Sequence, residues 1–130
     1  FNYRALQIEG QVPGDLGFAG FKVLTPLNAD HFDEVLSFLG ASYFRVLGKG
    51  NIYGLSSRGL AINASKWGHE EFPWFREFWI VEPPEEAADK TMRIYALLDS
   101  QSVTGAYQFD LTPGDPTVLD VRMTLYVRKD

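Results

Sequence analysis

Two stretches decide the fold of this chain: VTGAYQFDL (Val103–Leu111) and TVLDVRMTLYV (Thr117–Val127). In the second stretch every other residue is apolar: Leu119, Val121, Met123, Leu125 and Val127. A strict period of two is typical of a β-strand, because successive side chains point to opposite faces of a sheet. The intervening TPGDP is rich in proline and glycine and predicts a turn. We therefore predict two strands here.

Similar runs extend toward the start of the chain and recur about every 10 to 15 residues. They predict strands at residues 1–8, 18–24, 41–47, 52–63, 74–81 and 91–98. The strand at 52–63 is long, and we expect it to bend or bulge at Gly54 or Gly59. Short strands at this spacing predict an all-β fold, an antiparallel β-sandwich or barrel.

One segment has a different period and predicts a short helix. Asp30 is suited to cap a helix N-terminus, Asp33 follows three residues later, and Gly40 is suited to end the helix. Between them, apolar residues stand at helical spacing: Phe32, Val35, Leu36 and Leu39. We expect a single helix of about two turns between residues 30 and 40.

The composition excludes several classes of function. The net charge is −5 and the basic residues are scattered, which argues against a nucleic-acid binder and suits a neutral ligand. There is no cysteine, and His31 and His69 have no partner at metal-ligand spacing. No phosphate-binding glycine loop and no apolar run of membrane-spanning length are present. We expect neither a metal nor a cofactor, and no membrane-spanning segment.

Aromatic residues are frequent, at 15% of the chain. They suit the core of a β-sheet, and they also suit a surface on which sugar rings stack. Tyr43 and Arg45 share one face of a predicted strand, opposite Phe44. This pair could bind sugar hydroxyls with the ring as a platform, or Arg45 could form an ordinary surface ion pair.

A second candidate region is YGLSSRG, residues 53–59. Ser56 and Arg58 share one face of the predicted strand, and Tyr53 lies on the other. Two serines and an arginine between glycines are poor core material, and small residues allow a ligand to approach the backbone. The alternative is a bent edge strand without a ligand.

The richest stretch is EEFPWFREFW, residues 70–79, which contains the candidate residue Glu71. Glu77 and Trp79 share one face of the predicted strand, whereas Arg76 and Phe78 share the other. A buried charge needs a partner, so Arg76 and Glu77 belong either to an ion-pair network or to the wall of a cleft.

Asp99 follows a predicted strand and is suited either to a tight turn or to ligand binding. A glycoside hydrolase needs two carboxylates at a defined separation. Sequence spacing alone does not place Glu71, Glu77 and Asp99 relative to one another, so we do not assign them as a catalytic pair.

Several sequence motifs occur in order along the chain: DLGFAGF (15–21), GASYFR (40–45), YGLSSRGL (53–60), FREFWI (75–80), YALLDS (95–100) and TGAY (104–107). With these motifs the chain resembles the periplasmic glucan biosynthesis proteins of G and D type (OpgG/MdoG and OpgD/MdoD). The resemblance covers essentially all of the chain. Asn63 and the loop SKWG (65–68) depart from the pattern, which leaves the fine specificity open.

The resemblance implies a fold and a location. Members of the family are exported by a signal peptide to the periplasm. They have an N-terminal β-sandwich similar to galactose-mutarotase domains, followed by an immunoglobulin-like domain. Residues 1–130 would form one segment of that sandwich, without the second domain, and we interpret the chain as a fragment.

The resemblance also implies a function. The family acts in the synthesis of osmoregulated periplasmic glucans, which have a β-1,2-linked backbone. D-type members are similar to inverting endo-β-1,2-glucanases that use two aspartates, and both align beyond Asp130, so we expect no catalytic residue here. We expect the candidate residues to bind glucan in one cleft. The alternative is a scaffold that binds nascent glucan or the membrane glucosyltransferase.

Overall fold

The computed structural model describes residues 17–83 and 90–128, and every regular element in these two ranges is a β-strand. The strands are β1 (Gly20–Pro26), β2 (Phe32–Leu39), β3 (Tyr43–Val46), β4 (Ser57–Arg58), β5 (Trp74–Val81), β6 (Met92–Asp99), β7 (Val103–Thr112) and β8 (Val118–Val127). They form two antiparallel four-stranded sheets, β1-β2-β3-β4 and β5-β6-β7-β8. The predicted all-β antiparallel fold is confirmed. The strand predicted at residues 1–8 lies outside the described residues.

The two sheets meet through aromatic side chains. Phe38 of β2 packs edge to face against Phe109 of β7, with ring centroids 5.0 Å apart. Phe44 of β3 approaches the same Phe109 ring at 5.5 Å, and Phe21 of β1 contacts Phe78 of β5 at 4.9 Å. Each such pair adds about 0.5–1.5 kcal/mol beyond the burial of apolar area. Both sheets therefore turn one face inward to a shared core, and their other faces point outward.

The predicted helix at residues 30–40 is wrong, because this segment forms strand β2. Val23 of β1 pairs with Leu36, but the next residue of β1, Leu24, pairs with Glu34, so Val35 is an extra residue in a β-bulge. Val35 and Leu36 are consequently both buried, which interrupts the period of two and imitates helical spacing. Phe32 and Leu39, which completed the helical pattern, are 70% and 66% exposed.

Asp33 closes the β1–β2 turn and does not begin a helix. Its Oδ2 accepts hydrogen bonds from the backbone N–H groups of Leu27 (3.1 Å) and Asn28 (2.8 Å), which precede it. The bond from Asn28 lowers the pKa of Asp33. In the predicted capping box the Asp33 side chain would accept a bond from the N–H of Asp30, so its actual partners, Leu27 and Asn28, distinguish the two structures.

The predicted long strand at residues 52–63 is also wrong, since only Ser57–Arg58 pairs as a strand. The rest of this segment is a connection that leads from the first sheet to the second. Gly59 donates to the Ser42 carbonyl at 2.8 Å and accepts a bond from the Tyr107 hydroxyl at 2.9 Å. A Cβ at Gly59 would lie 2.7 Å from the Phe75 ring, so glycine is required for close packing rather than for a bulge.

A second bulge lies in β5. Phe75 pairs with Leu98 and Glu77 pairs with Leu97, which leaves Arg76 as the extra residue. Phe75 and Phe78 both pack against the core. The prediction that Arg76 shares a face with Phe78 is therefore wrong, and Arg76 and Glu77 are both exposed. No charge is buried here, so none needs a buried partner.

The inward face of β8 extends past the cover of the first sheet. Leu119 packs against the core, but further along the same face Met123 is 54% exposed and Val127 is 81% exposed. The strict alternation predicted for this strand is present. Among the described residues, however, no element of the first sheet covers its second half.

Replacing the central Phe109 by alanine should lower the free energy of unfolding by about 3–5 kcal/mol, because a fully buried ring leaves a cavity. Met123→Ala, on the same side of the second sheet, should cost less than about 1 kcal/mol, since Met123 is half exposed. Urea unfolding of both variants followed by tryptophan fluorescence measures the difference. Equal losses at the two positions would contradict the assigned core.

Candidate functional site

A groove of about 900 Å³ lies over strands β1, β2 and β3. Its polar and aromatic lining comes from outward-pointing side chains of the first sheet and from one residue of the following connection: Lys22, Glu34, Ser37, Tyr43, Arg45 and Ser56. The volume lies within the range of about 300–1,000 Å³ that is typical of ligand sites. This groove is the candidate functional site.

The strand register places the lining residues in two rows across the sheet. One row runs Lys22, Ser37, Arg45, and the other runs Gly20, Leu39, Tyr43, Arg58. Directly opposite residues have Cβ atoms about 4.5–5.5 Å apart, so each row is a continuous strip of side chains. A Cβ at Gly20 would lie 1.9 Å from the Phe38 carbonyl oxygen, so only glycine allows β1 to approach β2 here.

Polar groups at the groove are held by specific partners. Arg45 Nε donates to Ser56 Oγ at 2.7 Å, and Lys22 forms an ion pair with Glu34. The Tyr53 hydroxyl donates to the backbone carbonyl of Glu34, and burial raises the pKa of this phenol. Tyr53 thus fastens the connection after β3 to strand β2 and does not line the groove. The charges of Lys22 and Glu34 compensate each other.

Arg58 stacks over one face of the Tyr43 ring. Its guanidinium carbon lies 3.7 Å from the centroid of the Tyr43 ring and 4.4 Å from that of Phe72, and its Nη1 donates to the Ala41 carbonyl at 2.7 Å. Stacking of this kind is worth about 0.5–2 kcal/mol for each ring. Arg58 therefore positions Tyr43, which does line the groove.

Ser42, in the turn beside Tyr43, is strained. It is fully buried, has a φ of 54°, and its hydroxyl has no hydrogen-bond partner among the described residues. A non-glycine residue in the left-handed region costs about 1–2 kcal/mol. Ser42 is not among the predicted site residues, because neither backbone strain nor an unpartnered hydroxyl is visible in a sequence pattern.

Glu71 lies away from the groove and holds the segment before β5 in place through hydrogen bonds. Its backbone bridges to Ile62, and its carboxylate accepts bonds from the N–H and the hydroxyl of Ser102, at 2.9 Å and 2.7 Å. Hydrogen bonds from Ser100 and Ser102 lower the pKa of Glu71 below its ordinary value of 4.5. This carboxylate joins the connection before β5 to the β6–β7 turn.

Three further predicted residues lie on the outward face of the second sheet. Glu77 and Trp79 share that face, as predicted, and Trp79 is paired with Tyr95 of β6. Asp99 is paired with Trp74 and forms an ion pair with Arg128. The aromatic core separates this face from the groove, so the described residues do not form one cleft lined by all the predicted residues.

Arg76 stands at the β5 bulge and makes no ion pair within residues 17–83 and 90–128. In the same two ranges no three metal-binding side chains cluster, and no helix is long and apolar enough to cross a membrane. Of the ten predicted residues, the groove therefore contains Tyr43, Arg45 and Ser56, with Arg58 directly behind Tyr43.

These features define an all-β sandwich protein with a ligand-sized groove on the outside of one sheet. The chain belongs to the family described as "Periplasmic glucan biosynthesis protein, MdoG", whose family model matches residues 1–130. The resemblance drawn from the sequence motifs is confirmed. The name of this family refers to the periplasm and to glucan synthesis.

Similar curated proteins are named glucans biosynthesis protein G. The chain is 54% identical over 130 residues to glucans biosynthesis protein G of Pseudomonas paraeruginosa. This alignment covers 99% of the chain and 24% of the relative. It is 56% identical over 129 residues to the protein of the same name from Dickeya dadantii. This alignment covers 98% of the chain and 24% of the relative. The chain thus spans about a quarter of the length of these relatives.

Glu71→Gln tests the assigned carboxylate contact. The pKa of Glu71 is lowered in the folded state, so its stabilising effect is present above the ordinary carboxyl pKa and is lost as the pH falls through the lowered value. The variant should therefore melt at a lower temperature than the original chain at pH 7, and the difference should shrink below about pH 4. Glu70→Gln, at the exposed neighbouring position, is the control and should melt like the original chain at every pH.

Ser42→Gly should raise the free energy of unfolding by on the order of 0.5–1 kcal/mol, because glycine relieves the positive φ and removes the unpartnered hydroxyl. Ser42→Ala keeps the strained backbone and should gain less. Parallel urea titrations compare the two variants. A loss of stability in Ser42→Gly would show that the hydroxyl has a partner that the described residues do not supply.

Proposed function

We propose that this protein takes part in the synthesis of osmoregulated periplasmic glucans and that its groove binds a β-1,2-linked glucan backbone. The observation that carries the proposal is the arrangement of the Tyr43 ring beside the Arg45–Ser56 hydrogen bond in a groove of about 900 Å³. An aromatic face suits the apolar side of a sugar ring, and the neighbouring guanidinium and hydroxyl suit its hydroxyl groups.

One charged side chain of the groove, Arg45, has no ion-pair partner among the described residues. Lys22 and Glu34 compensate each other, and Arg45 is already oriented by Ser56. Arg45 therefore presents hydrogen-bond donors in a fixed direction, with little further loss of side-chain entropy when a ligand binds. These donors suit the hydroxyl oxygens of a glucan.

The same lining supports a division of labour in a longer protein. Inverting glycoside hydrolases use two carboxylates about 6.5–9.5 Å apart. Glu34 is the single carboxylate among the described side chains that line the groove, and Lys22 engages it. We infer that this segment binds the glucan, and that any catalytic aspartates are contributed from outside these residues.

The chain is much shorter than its relatives, which supports a proposal about its place in a longer protein. The chain covers 24% of each relative's length. We infer that residues 1–130 form one segment of an N-terminal β-sandwich domain in a periplasmic protein. The immunoglobulin-like domain implied by the resemblance would lie elsewhere in that protein.

Tyr43→Ala and Arg45→Ala should each weaken binding of linear β-1,2-glucan oligosaccharides about tenfold, which corresponds to the loss of one ring contact or one charged hydrogen bond of about 1.4 kcal/mol. Isothermal titration calorimetry with purified protein measures the affinity. The control is Trp67→Ala, which removes a 95% exposed aromatic ring outside the groove and should leave affinity unchanged.

Two results would refute the proposal: unchanged affinity in both groove variants, or no binding of the oligosaccharide by the original protein. Pull-down of a membrane glucosyltransferase by a protein that binds no glucan would favour the scaffold alternative. Unfolding midpoints of all variants, measured in parallel, separate a lost contact from a lost fold.

A further inference from the structure

The outward face of the second sheet has a regular arrangement that the groove does not use. One cross-strand row runs through all four strands: Trp79, Tyr95, Gln108 and Arg122. The neighbouring row runs Val81, Arg93, Asp110 and Asp120. We call these two rows together the second-sheet face.

Two aromatic rings lie on this face, on strands β5 and β6. Trp79 is 50% exposed and Tyr95 is 39% exposed, and the two residues are directly paired between β5 and β6. Directly paired residues have Cβ atoms about 5 Å apart, so these two aromatic side chains are neighbours on the same face. Both rings are outside the sandwich core, whose aromatic members come from the alternate, inward-pointing positions.

Next to the rings, polar groups are fixed by one another. Arg93 donates to both oxygens of Asp110, from Nε at 2.7 Å and from Nη2 at 3.1 Å, and Gln108 Nε2 donates to the same carboxylate at 2.7 Å. The two-pronged contact with Arg93 lowers the pKa of Asp110. The carboxylate therefore stays charged and holds the amide and the guanidinium in one orientation.

The two rows of the second-sheet face contain equal numbers of basic and acidic residues, and Glu77 in the adjoining row adds one negative charge. Two arginines, Arg93 and Arg122, stand beside two aspartates, Asp110 and Asp120. Arg93, Asp110 and Gln108, bonded to one another beside exposed rings, suit a ligand with many hydroxyl groups.

The surface beside the rings is shallowly indented. A depression of about 240 Å³ is bordered by Tyr95, Gln108, Arg122 and Thr124. It rests on β6, β7 and β8, which are joined by long uninterrupted ladders of backbone pairs, so its shape is fixed before any ligand arrives. A ligand stacked on the rings would have its polar edge over this depression.

We propose that the second-sheet face is a second glucan-binding surface, so that one long glucan contacts the protein on both sides of the sandwich. The class of ligand rests on the proposed function, whereas the location rests on the geometry of this face alone. Aspartate is depleted in protein–protein interfaces, but Asp110 and Asp120 both lie on this face. That composition favours a carbohydrate over a protein partner.

Two sites joined by one polymer make affinity depend on polymer length. A short oligosaccharide occupies either site alone, whereas a long glucan that reaches both sites gains effective concentration from the first contact. Removing the second surface should therefore weaken the binding of long chains. The affinity of the groove for short chains should be unaffected.

The test compares Trp79→Ala with Tyr43→Ala, using a β-1,2-linked trisaccharide and a long linear β-1,2-glucan. Trp79→Ala should lose about tenfold in affinity for the long glucan and keep the trisaccharide affinity of the groove. Trp79→Phe, which retains a ring, should keep most of the affinity for the long glucan. In the original protein, titration with trisaccharide should shift backbone amide resonances of β6–β8 as well as those of β1–β3.

The failures of the two proposals are distinguishable. The second surface is overturned if Trp79→Ala leaves the affinity for long glucan unchanged and no resonances of β6–β8 shift. If Tyr43→Ala loses binding in the same experiment, the groove is still supported. Loss in Trp79→Ala with none in Tyr43→Ala supports the second surface and rejects the groove. A concentration-dependent dimer that Trp79→Ala abolishes would overturn the second surface in favour of a protein interface.

Discussion

The contact between Phe38 and Phe109 is the interaction on which the rest of the structure depends. Their rings meet edge to face across the two sheets, with centroids 5.0 Å apart, and Phe44 and Phe75 pack on the same Phe109 ring. Because these rings fill the interior, the alternate residues of every strand must point outward. The groove and the second-sheet face are therefore consequences of one packed core: each is the outer side of a sheet whose inner side is occupied.

The connections between the sheets show how backbone requirements fix the groove. Gly59 lies against the Phe75 ring and bonds to both Ser42 and Tyr107, and Arg58 beside it reaches back over Tyr43. The aromatic wall of the groove is thus tied to the core by a short chain of contacts. The strained backbone of Ser42 lies within this chain, where surrounding contacts hold a conformation that the local sequence disfavours.

Two β-bulges account for much of what sequence reasoning missed. In β2 the extra Val35 places two buried residues in succession, which imitates a helical pattern. In β5 the extra Arg76 shifts the alternation, so Phe75, which precedes it, points to the face opposite the one predicted. Strands without a bulge, such as β6, β7 and β8, lie within one or two residues of their predicted positions. A bulge is set by the partner strand, and the partner is not visible in a local window of sequence.

The sequence by itself determined the all-β class, the positions of the regular strands, the shared face of Tyr43 and Arg45, and the family. It could do so because side-chain alternation and ordered motifs are local properties of the chain. Only the tertiary structure decided that Trp79 and Asp99 lie on a different sheet from Tyr43, with the aromatic core between them. Which sheet a strand joins depends on contacts between residues far apart in sequence, and no spacing along the chain encodes that choice.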